Sequence, residues 1–578
     1  MSEAAYRQYR PLIAAAAAKY GIQELIIAAV IEIESGWRNV QNAGGYDAWG
    51  LMQVVSSRTI AGRPTPEQLL DPATNIDWGT RILAEAWARG GGLKQALWRY
   101  SGGSYWDRQG GAAAYTASYW RRFMDAVATV GCYVPLGDSL PRPPEDTGAG
   151  IHGGANAGHP MGENEAEFAP TARRWRAMGL TWCKLLAFTD QCLKVIPALR
   201  EAGIMPVIRF ILKCPERLSA EQLAAVSKYV AAGAGIFEWV NEPNLRDEWS
   251  VGQMPADDIM FSQLAVSLAA DMRAVSERGG YVAVPAMSPG GEWHSGRFGG
   301  DDVGYLRRLL EELRKQPGIA ETLRARGWLS VHPTALNHPL DYPYDAVNQA
   351  EWKGQHLYEH YTADGQATGA SNCWLKWKAV AEQFLDVFGF LVPVIGTEGG
   401  AWPHGGTGQR YDPRYAELDV QAASECTGGI LRSMAGQPAW FAAMCPWLWA
   451  NKMWGNPHTG FEWQAWHRTV GWGNPPAAGP EWQPMVGMLE ADPCQRRGSV
   501  AMPTPTMPQT PAAPAESQPA AADITAIRWH AEEAVRELEA ALIVVVDAKG
   551  RLEAARGRLL EQVVAPAYEL EGVKTASS

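Results

Sequence analysis

Phe237-Glu238-Trp239-Val240-Asn241-Glu242-Pro243 ends a short apolar run with a carboxylate, and Val392-Pro393-Val394-Ile395-Gly396-Thr397-Glu398 repeats the arrangement much later in the chain. Each run reads as a strand, the first from Gly235 to Asn241 and the second from Val392 to Glu398. Six further runs share that character: Gly150 to Gly153, Thr181 to Phe188, Met205 to Phe210, Tyr281 to Met287, Trp328 to His332 and Trp440 to Trp447. Amphipathic segments alternate with them, among them Pro170 to Met178, Ala220 to Ala231, Ile259 to Arg278, Val303 to Lys315 and Trp374 to Phe388. Strand and helix in alternation through eight strands predict a (β/α)8 barrel over residues 148–495 rather than a doubly wound sheet. In such a barrel the C-terminal strand ends open on one face, so Glu242 after the fourth strand and Glu398 after the seventh converge.

Working outward, Tyr6 to Cys132 carries helical patterns without β-rich runs, which predicts an all-α domain over residues 1–132. Pro135-Leu136-Gly137-Asp138-Ser139-Leu140-Pro141-Arg142-Pro143-Pro144 excludes helix and central strand and marks residues 133–147 as a linker. Residues 496–522 form a second, Pro/Ala-rich linker. In the tail, 523–578, Ile527, Ala531, Ala534, Leu538, Ala541, Val545, Ala548, Leu552, Ala555 and Leu559 recur at alternating four- and three-residue steps, the seam of a helix that pairs or docks. Ala at so many seam positions makes that coiled coil weak.

A chain of 578 residues, 47% hydrophobic and 20% charged, is a multidomain globular protein, and its net charge of −11 gives no long-range attraction for nucleic acid or anionic lipid. The eight cysteines show no metal spacing and read as buried free thiols; no cofactor or metal is expected. Among the 26 tryptophans, Trp440, Trp447, Trp449, Trp454, Trp463, Trp466, Trp472 and Trp482 crowd one stretch, where indole faces serve either as core or as platforms for sugar rings. No secretory signal is visible at Met1 to Arg7, and no apolar run spans a bilayer, Leu542 to Val546 included.

Ile26-Ile27-Ala28-Ala29-Val30-Ile31-Glu32-Ile33-Glu34-Ser35 is a mostly apolar helix that delivers Glu34 at its C-terminal end, just before Gly36. The negative end of the helix dipole and a semi-apolar wall both favour a protonated carboxyl, the condition a general acid needs. With Gly50-Leu51-Met52-Gln53, Asp71-Pro72, Asn75-Ile76, Gly79 and Tyr100-Ser101-Gly102-Gly103 in that order, residues 8–125 resemble the SLT-type lytic transglycosylases, whose fold is lysozyme-like. Ser101 departs from the family's usual Asn. The resemblance implies that Glu34 protonates the oxygen between N-acetylmuramic acid and N-acetylglucosamine. It then removes the proton of the muramic C6 hydroxyl to close a 1,6-anhydro ring, with Ser35, Gln53 and Tyr100 binding the sugar. Asp47 leaves an alternative open: a second carboxylate facing the cleft would position water and make the domain a lysozyme-type hydrolase, whereas a loop role would not.

The barrel motifs resemble the large clan of barrel glycoside hydrolases that includes cellulases, mannanases and xylanases. That resemblance implies Glu242 as acid/base, Glu398 as nucleophile and Asn241 as donor to the sugar 2-hydroxyl. Arg209, His332 and Trp447 or Trp449 would support the site. It also implies retention of configuration, with the carboxyl groups roughly 5–5.5 Å apart. His332-Pro333-Thr334 departs from the His-x-Tyr seen after the sixth strand of that clan. His152, His159 and His338 read as loop or internally satisfied histidines.

Together these readings predict a bifunctional cell-wall-degrading enzyme acting on peptidoglycan and a β-linked polysaccharide. Self-association or particle docking is expected through residues 523–563, and access to the wall by non-classical export, lysis or virion association. The rival from another class is a particle- or surface-associated adhesion protein whose barrel binds carbohydrate without cleaving it.

Overall fold

The structure is a computed structural model that describes residues 2–102, 112–136, 140–153, 165–293 apart from 253 and 256, 301–351, 357, 372–401, 412–447, 449, 466 and 484–497. All of them belong to Met1–Ala501, the first of two units into which the chain divides. The tail seam of residues 523–563 lies outside them, as do His159, Trp454, Trp463, Trp472 and Trp482.

The N-terminal region is helical as predicted. Glu24–Ser35 buries every residue from Leu25 to Ile31, and Gly36 ends it at φ 56°, donating its N–H to the Glu32 carbonyl. This helix is the core of its domain, with Ser2–Tyr20, Pro72–Ala88, Gly92–Tyr100 and Ala112–Val130 around it. A short antiparallel pair, β1 (Ala48–Trp49) and β2 (Val54–Val55), brackets the Gly50-Leu51-Met52-Gln53 turn.

Eight parallel strands follow: β3 (Gly150–His152), β4 (Trp182–Ala187), β5 (Met205–Phe210), β6 (Ile236–Glu238), β7 (Tyr281–Val284), β8 (Gly327–Val331), β9 (Val394–Gly396) and β10 (Phe441–Met444). Each pairs with its sequence neighbour, and Ala149 bridges Met444, so the sheet comes round on itself as the alternation predicts. Every strand falls inside its predicted run except β8, which starts one residue earlier, at Gly327. Helices cover the outer face and side chains fill the inside, which is why the strands read as continuous apolar runs rather than alternating ones.

The interior is layered by the two-residue period of a strand. Trp182, Val207, Ile236, Ala283, Trp328 and Ile395 form one apolar cluster, joined by Leu140 from the stretch between the domains. Among its described residues that stretch holds no helix, as its prolines predict, yet it is packed: Arg142 donates to the Ala442 and Ala439 carbonyls and pairs with Asp146.

Helical domain and barrel share the helix Lys376–Phe388, which has a buried residue at nearly every position. Trp120 Nε1 donates to Glu382 Oε1 at 2.7 Å, and the Gln23 amide exchanges two hydrogen bonds with the Leu391 backbone. Asp386 accepts from the Lys94 backbone N–H at 2.8 Å and so sits at the N-terminus of Gly92–Tyr100, where the helix dipole favours an anion. Gly92 adopts φ +83°, and a Cβ there would lie 2.9 Å from the Asp386 carbonyl oxygen. Gly92→Ala should therefore lower the unfolding free energy by about 1–3 kcal/mol, measurable by urea denaturation.

Candidate active sites

Glu34 ends its helix with the carboxyl only partly open to solvent, and Tyr119 from Ala112–Val130 donates to its Oε1 at 2.6 Å. Burial raises the Glu34 pKa above the ordinary carboxyl value, while the Tyr119 hydrogen bond and the Arg122 charge offset part of that rise. Tyr100 donates to the Met52 carbonyl at 2.6 Å. Burial, then the nearby Glu34 charge, hold its phenol well above its ordinary pKa.

The turn bearing Gln53 is locked from beneath. Asn75 accepts from the Met52 N–H at 2.7 Å and donates to the Trp49 carbonyl at 2.7 Å, and a Cβ on Gly50 would collide with its amide. Gln53 itself sits at φ +48°, with Nε2 donating to the Gly50 and Val40 carbonyls and its buried Oε1 left without a partner. The Ser35 hydroxyl is buried and donates to the Ile31 carbonyl of its own helix. Asp47 belongs to its loop. Burial pushes its pKa up, but the hydroxyls of Ser56 and Thr59 and the Trp49 indole outweigh burial and hold it below the usual value.

In the barrel, the inward positions two residues above the apolar layer are polar: Lys184 above Trp182, Arg209 above Val207, Glu238 above Ile236, Ser330 above Trp328 and Thr397 above Ile395. Lys184 Nζ pairs with Glu398 Oε1 at 2.9 Å and Glu238 Oε1 at 2.6 Å, all within the barrel mouth. Arg209 Nη1 reaches the same Glu398 oxygen at 3.1 Å. Ser330 donates to Glu238 Oε2 at 2.8 Å and meets the Thr397 hydroxyl at 2.7 Å. Burial alone would raise the Glu398 pKa; Lys184, His332, Arg209 and His152 together overcome it and hold the carboxyl below the usual range.

His332 joins the two motif glutamates. Its Nδ1 lies 2.8 Å from Glu242 Oε1 and its Nε2 lies 3.9 Å from Glu398 Oε1. Glu242 takes a left-handed backbone, φ +37°, held by its N–H on the Ala286 carbonyl. Asn241 is buried beside it and donates to Glu248 Oε1 at 3.1 Å.

Of the predicted residues, Arg209, His332, Glu242 and Glu398 are thus brought together, and Trp447 stands beside them with its ring centroid 4.4 Å from that of His152. Trp449 is not a cleft wall: it is buried edge-on against Trp175, because its backbone N–H is drawn in to the His152 carbonyl. Trp440 and Trp466 are buried as well. His338 is internally satisfied as expected, bonded to the Asn372 carbonyl and Asp412. His152 corrects its expectation: it ends β3, fully buried, with its Nε2 4.0 Å from Glu398. Lys184, Glu238 and Tyr119 were not anticipated. A lysine inside Trp182-Cys183-Lys184-Leu185-Leu186-Ala187 is the signal that was available for the first, since an apolar strand rarely carries an unpaired charge.

Residues 11–123 match the family model of the transglycosylase SLT domain. The chain is 41% identical over 86 residues to membrane-bound lytic murein transglycosylase C of Yersinia enterocolitica, a stretch that is 13% of this chain and 24% of that protein. The Serratia proteamaculans protein of the same name is 40% identical over the same length and shares. This chain therefore spans about a quarter of the length of the curated relatives it matches. Among solved structures, Pseudomonas stutzeri endoglucanase Cel5A aligns at 11% identity and a TM-score of 0.33, over 63% of this chain and 100% of its own. Bacteroides uniformis beta-glucuronidase 3 aligns at 9% and 0.35, over 62% and 40%. Scores this low carry no weight for chemistry, which must come from the barrel's own side chains. Among the described residues no helix is long and apolar enough to cross a membrane.

Two outcomes follow from these charges. Tyr119→Phe removes the hydrogen bond that favours the Glu34 carboxylate, so the Glu34 titration should move to still higher pH, read by carboxyl-carbon NMR. Lys184→Met leaves Glu238 buried without the cation it shares with the partly exposed Glu398 and should cost about 3–5 kcal/mol at pH 7. The loss should shrink at pH 4–5, where one carboxyl takes up a proton, as urea unfolding at both pH values would report.

Proposed function

We propose that the chain is a bifunctional glycan-cleaving enzyme of the bacterial cell wall, with a lytic transglycosylase in its SLT region and a retaining glycoside hydrolase in its barrel. The observation that carries this reading is the opposite setting of two carboxyls: Glu34 is biased to keep its proton, and Glu398 is biased to lose it.

In the SLT region Glu34 gives its proton to the oxygen linking N-acetylmuramic acid to N-acetylglucosamine, and the C1–O bond breaks. The resulting carboxylate is stabilised by the Tyr119 hydroxyl and then accepts the C6 hydroxyl proton as O6 bonds to C1. No water enters the balance. Asp47, held by Trp49, Ser56 and Thr59, has its oxygens engaged within its loop, which favours this route over lysozyme-type hydrolysis. Gln53 and Tyr100 wall the sugar site.

In the barrel Glu398, kept ionised, attacks the anomeric carbon while Glu242 protonates the leaving oxygen. Glu242 then takes a proton from the water that releases the glycosyl-enzyme. Lys184 and Arg209, both on Oε1, orient Glu398. Asn241 serves the 2-hydroxyl, and His332 Nδ1, 2.8 Å from Glu242 Oε1, orients that carboxyl. The seam of residues 523–563 is assigned to self-association or docking on a particle.

Digesting purified peptidoglycan with the full-length protein and analysing the products by mass spectrometry tests the first half. Anhydromuramic ends should be released by wild type, fall at least a thousandfold in Glu34→Gln and persist in Glu398→Gln; reducing muramic ends from wild type would make the domain a hydrolase. For the barrel, turnover of 4-nitrophenyl β-glycosides should vanish in Glu398→Gln and be unaffected by Glu34→Gln.

A further inference from the structure

Three side chains with buried nitrogens gather around Glu398 with hydrogen-bonding capacity left over. Arg209 Nε, His332 Nε2 and both ring nitrogens of His152 have no hydrogen-bond partner among the described residues. For Arg209 and His332 the rest of the side chain is engaged, by Glu398 and by Glu242. His152 differs, because its whole imidazole is unspent while its side chain is completely buried. Leaving such a group unpaired costs on the order of 1–3 kcal/mol, and native proteins keep few of them without a use.

The position of His152 says what the use is. It is the last residue of β3, lies two residues above Gly150 on the same face, and Gly150 is packed tightly into the barrel interior against Trp182 and Cys445. Its Nε2 is 4.0 Å from the Glu398 oxygen, too far for a direct hydrogen bond and close enough to share a bound atom with it. The Trp447 ring leans on the imidazole at 4.4 Å between centroids and is itself partly open to solvent. An aromatic face, an unspent imidazole and a carboxylate side by side match a sugar ring with an adjoining hydroxyl.

We infer that His152 determines specificity in the barrel site by a hydrogen bond between its Nε2 and one ring hydroxyl of the glycosyl unit held against Glu398. The inference rests on the barrel reading above and deepens it. A neutral imidazole presents either a donor or an acceptor at Nε2, and a sugar hydroxyl can meet either one. Burial first, and the neighbouring Lys184 charge second, keep His152 well below its ordinary pKa, so it meets the sugar uncharged. β3 stands three strands from β6 in the ring, so His152 approaches the sugar from a different side than Asn241.

The test uses the full-length protein, wild type, His152→Phe and His152→Gln, with thermal unfolding midpoints to confirm that each is folded. On whichever of 4-nitrophenyl β-glucoside, β-mannoside, β-xyloside or N-acetyl-β-glucosaminide the wild type cleaves fastest, His152→Phe should lower kcat/KM tenfold or more, and His152→Gln should recover most of it. A deoxy analogue of that glycoside lacking the contacted hydroxyl should lose as much with wild type and little further with His152→Phe. Values for His152→Phe within twofold of wild type would overturn the inference while leaving the hydrolase intact. If wild type cleaves none of the four, the hydrolase reading falls, and calorimetry with cellohexaose, mannohexaose and chitohexaose decides separately. Weaker binding by His152→Phe than by wild type keeps the histidine's role; equal binding, or none by either, ends it.

Discussion

Lys184 lies fully buried between two carboxylates, Glu238 and Glu398, and the upper half of the barrel is arranged to make that tolerable. A buried ammonium and a buried carboxylate each lose several kcal/mol of hydration, and only close mutual pairing with further hydrogen bonds restores it. Glu238 is accordingly anchored by Ser330, and Ser330 in turn by Thr397. Arg209 adds a second cation to Glu398 on the same oxygen. The consequence is chemical as well as structural: the arrangement that makes burial bearable also keeps Glu398 ionised.

Both sites carry local backbone strain at a residue of the motif. Gln53 and Glu242 are among the few non-glycine residues with positive φ, at +48° and +37°, conformations that cost about 1–3 kcal/mol each. Each is held by its surroundings. The Gln53 turn hangs from Asn75 and from its own side-chain amide, and Glu242 hangs from Ala286 and His332. In both cases the strain aims a polar side chain from the end of a regular element, which is where rigid support and an exposed functional group can coexist.

The helix Lys376–Phe388 turns two domains into one body. Its Glu382 binds Trp120, the neighbour of Tyr119 on the helix that reaches Glu34. The hydrogen bond nearest the Glu34 carboxyl is thus one residue removed from a contact with the barrel. A tether between freely moving modules would raise local concentration on a polymer, whereas a packed interface also fixes their mutual position.

Much of this was legible in the chain. Strand-helix alternation placed all eight barrel strands, and the motif order placed Glu34, Gln53, Tyr100, Glu242 and Glu398, because periodicity and short-range spacing are local properties. What escaped was the set of partners that come from elsewhere. His152 looked like a loop or internally satisfied residue, and Trp449 could have been core or platform. Lys184 and Glu238 were hidden inside apolar strands, and nothing near Tyr119 pointed to Glu34, 85 residues away. The sequence by itself determined the elements and the carboxylates at their ends. Only the tertiary structure decided which cations, phenols and imidazoles face those carboxylates, since barrel closure and helix packing bring together inward positions that no local pattern relates.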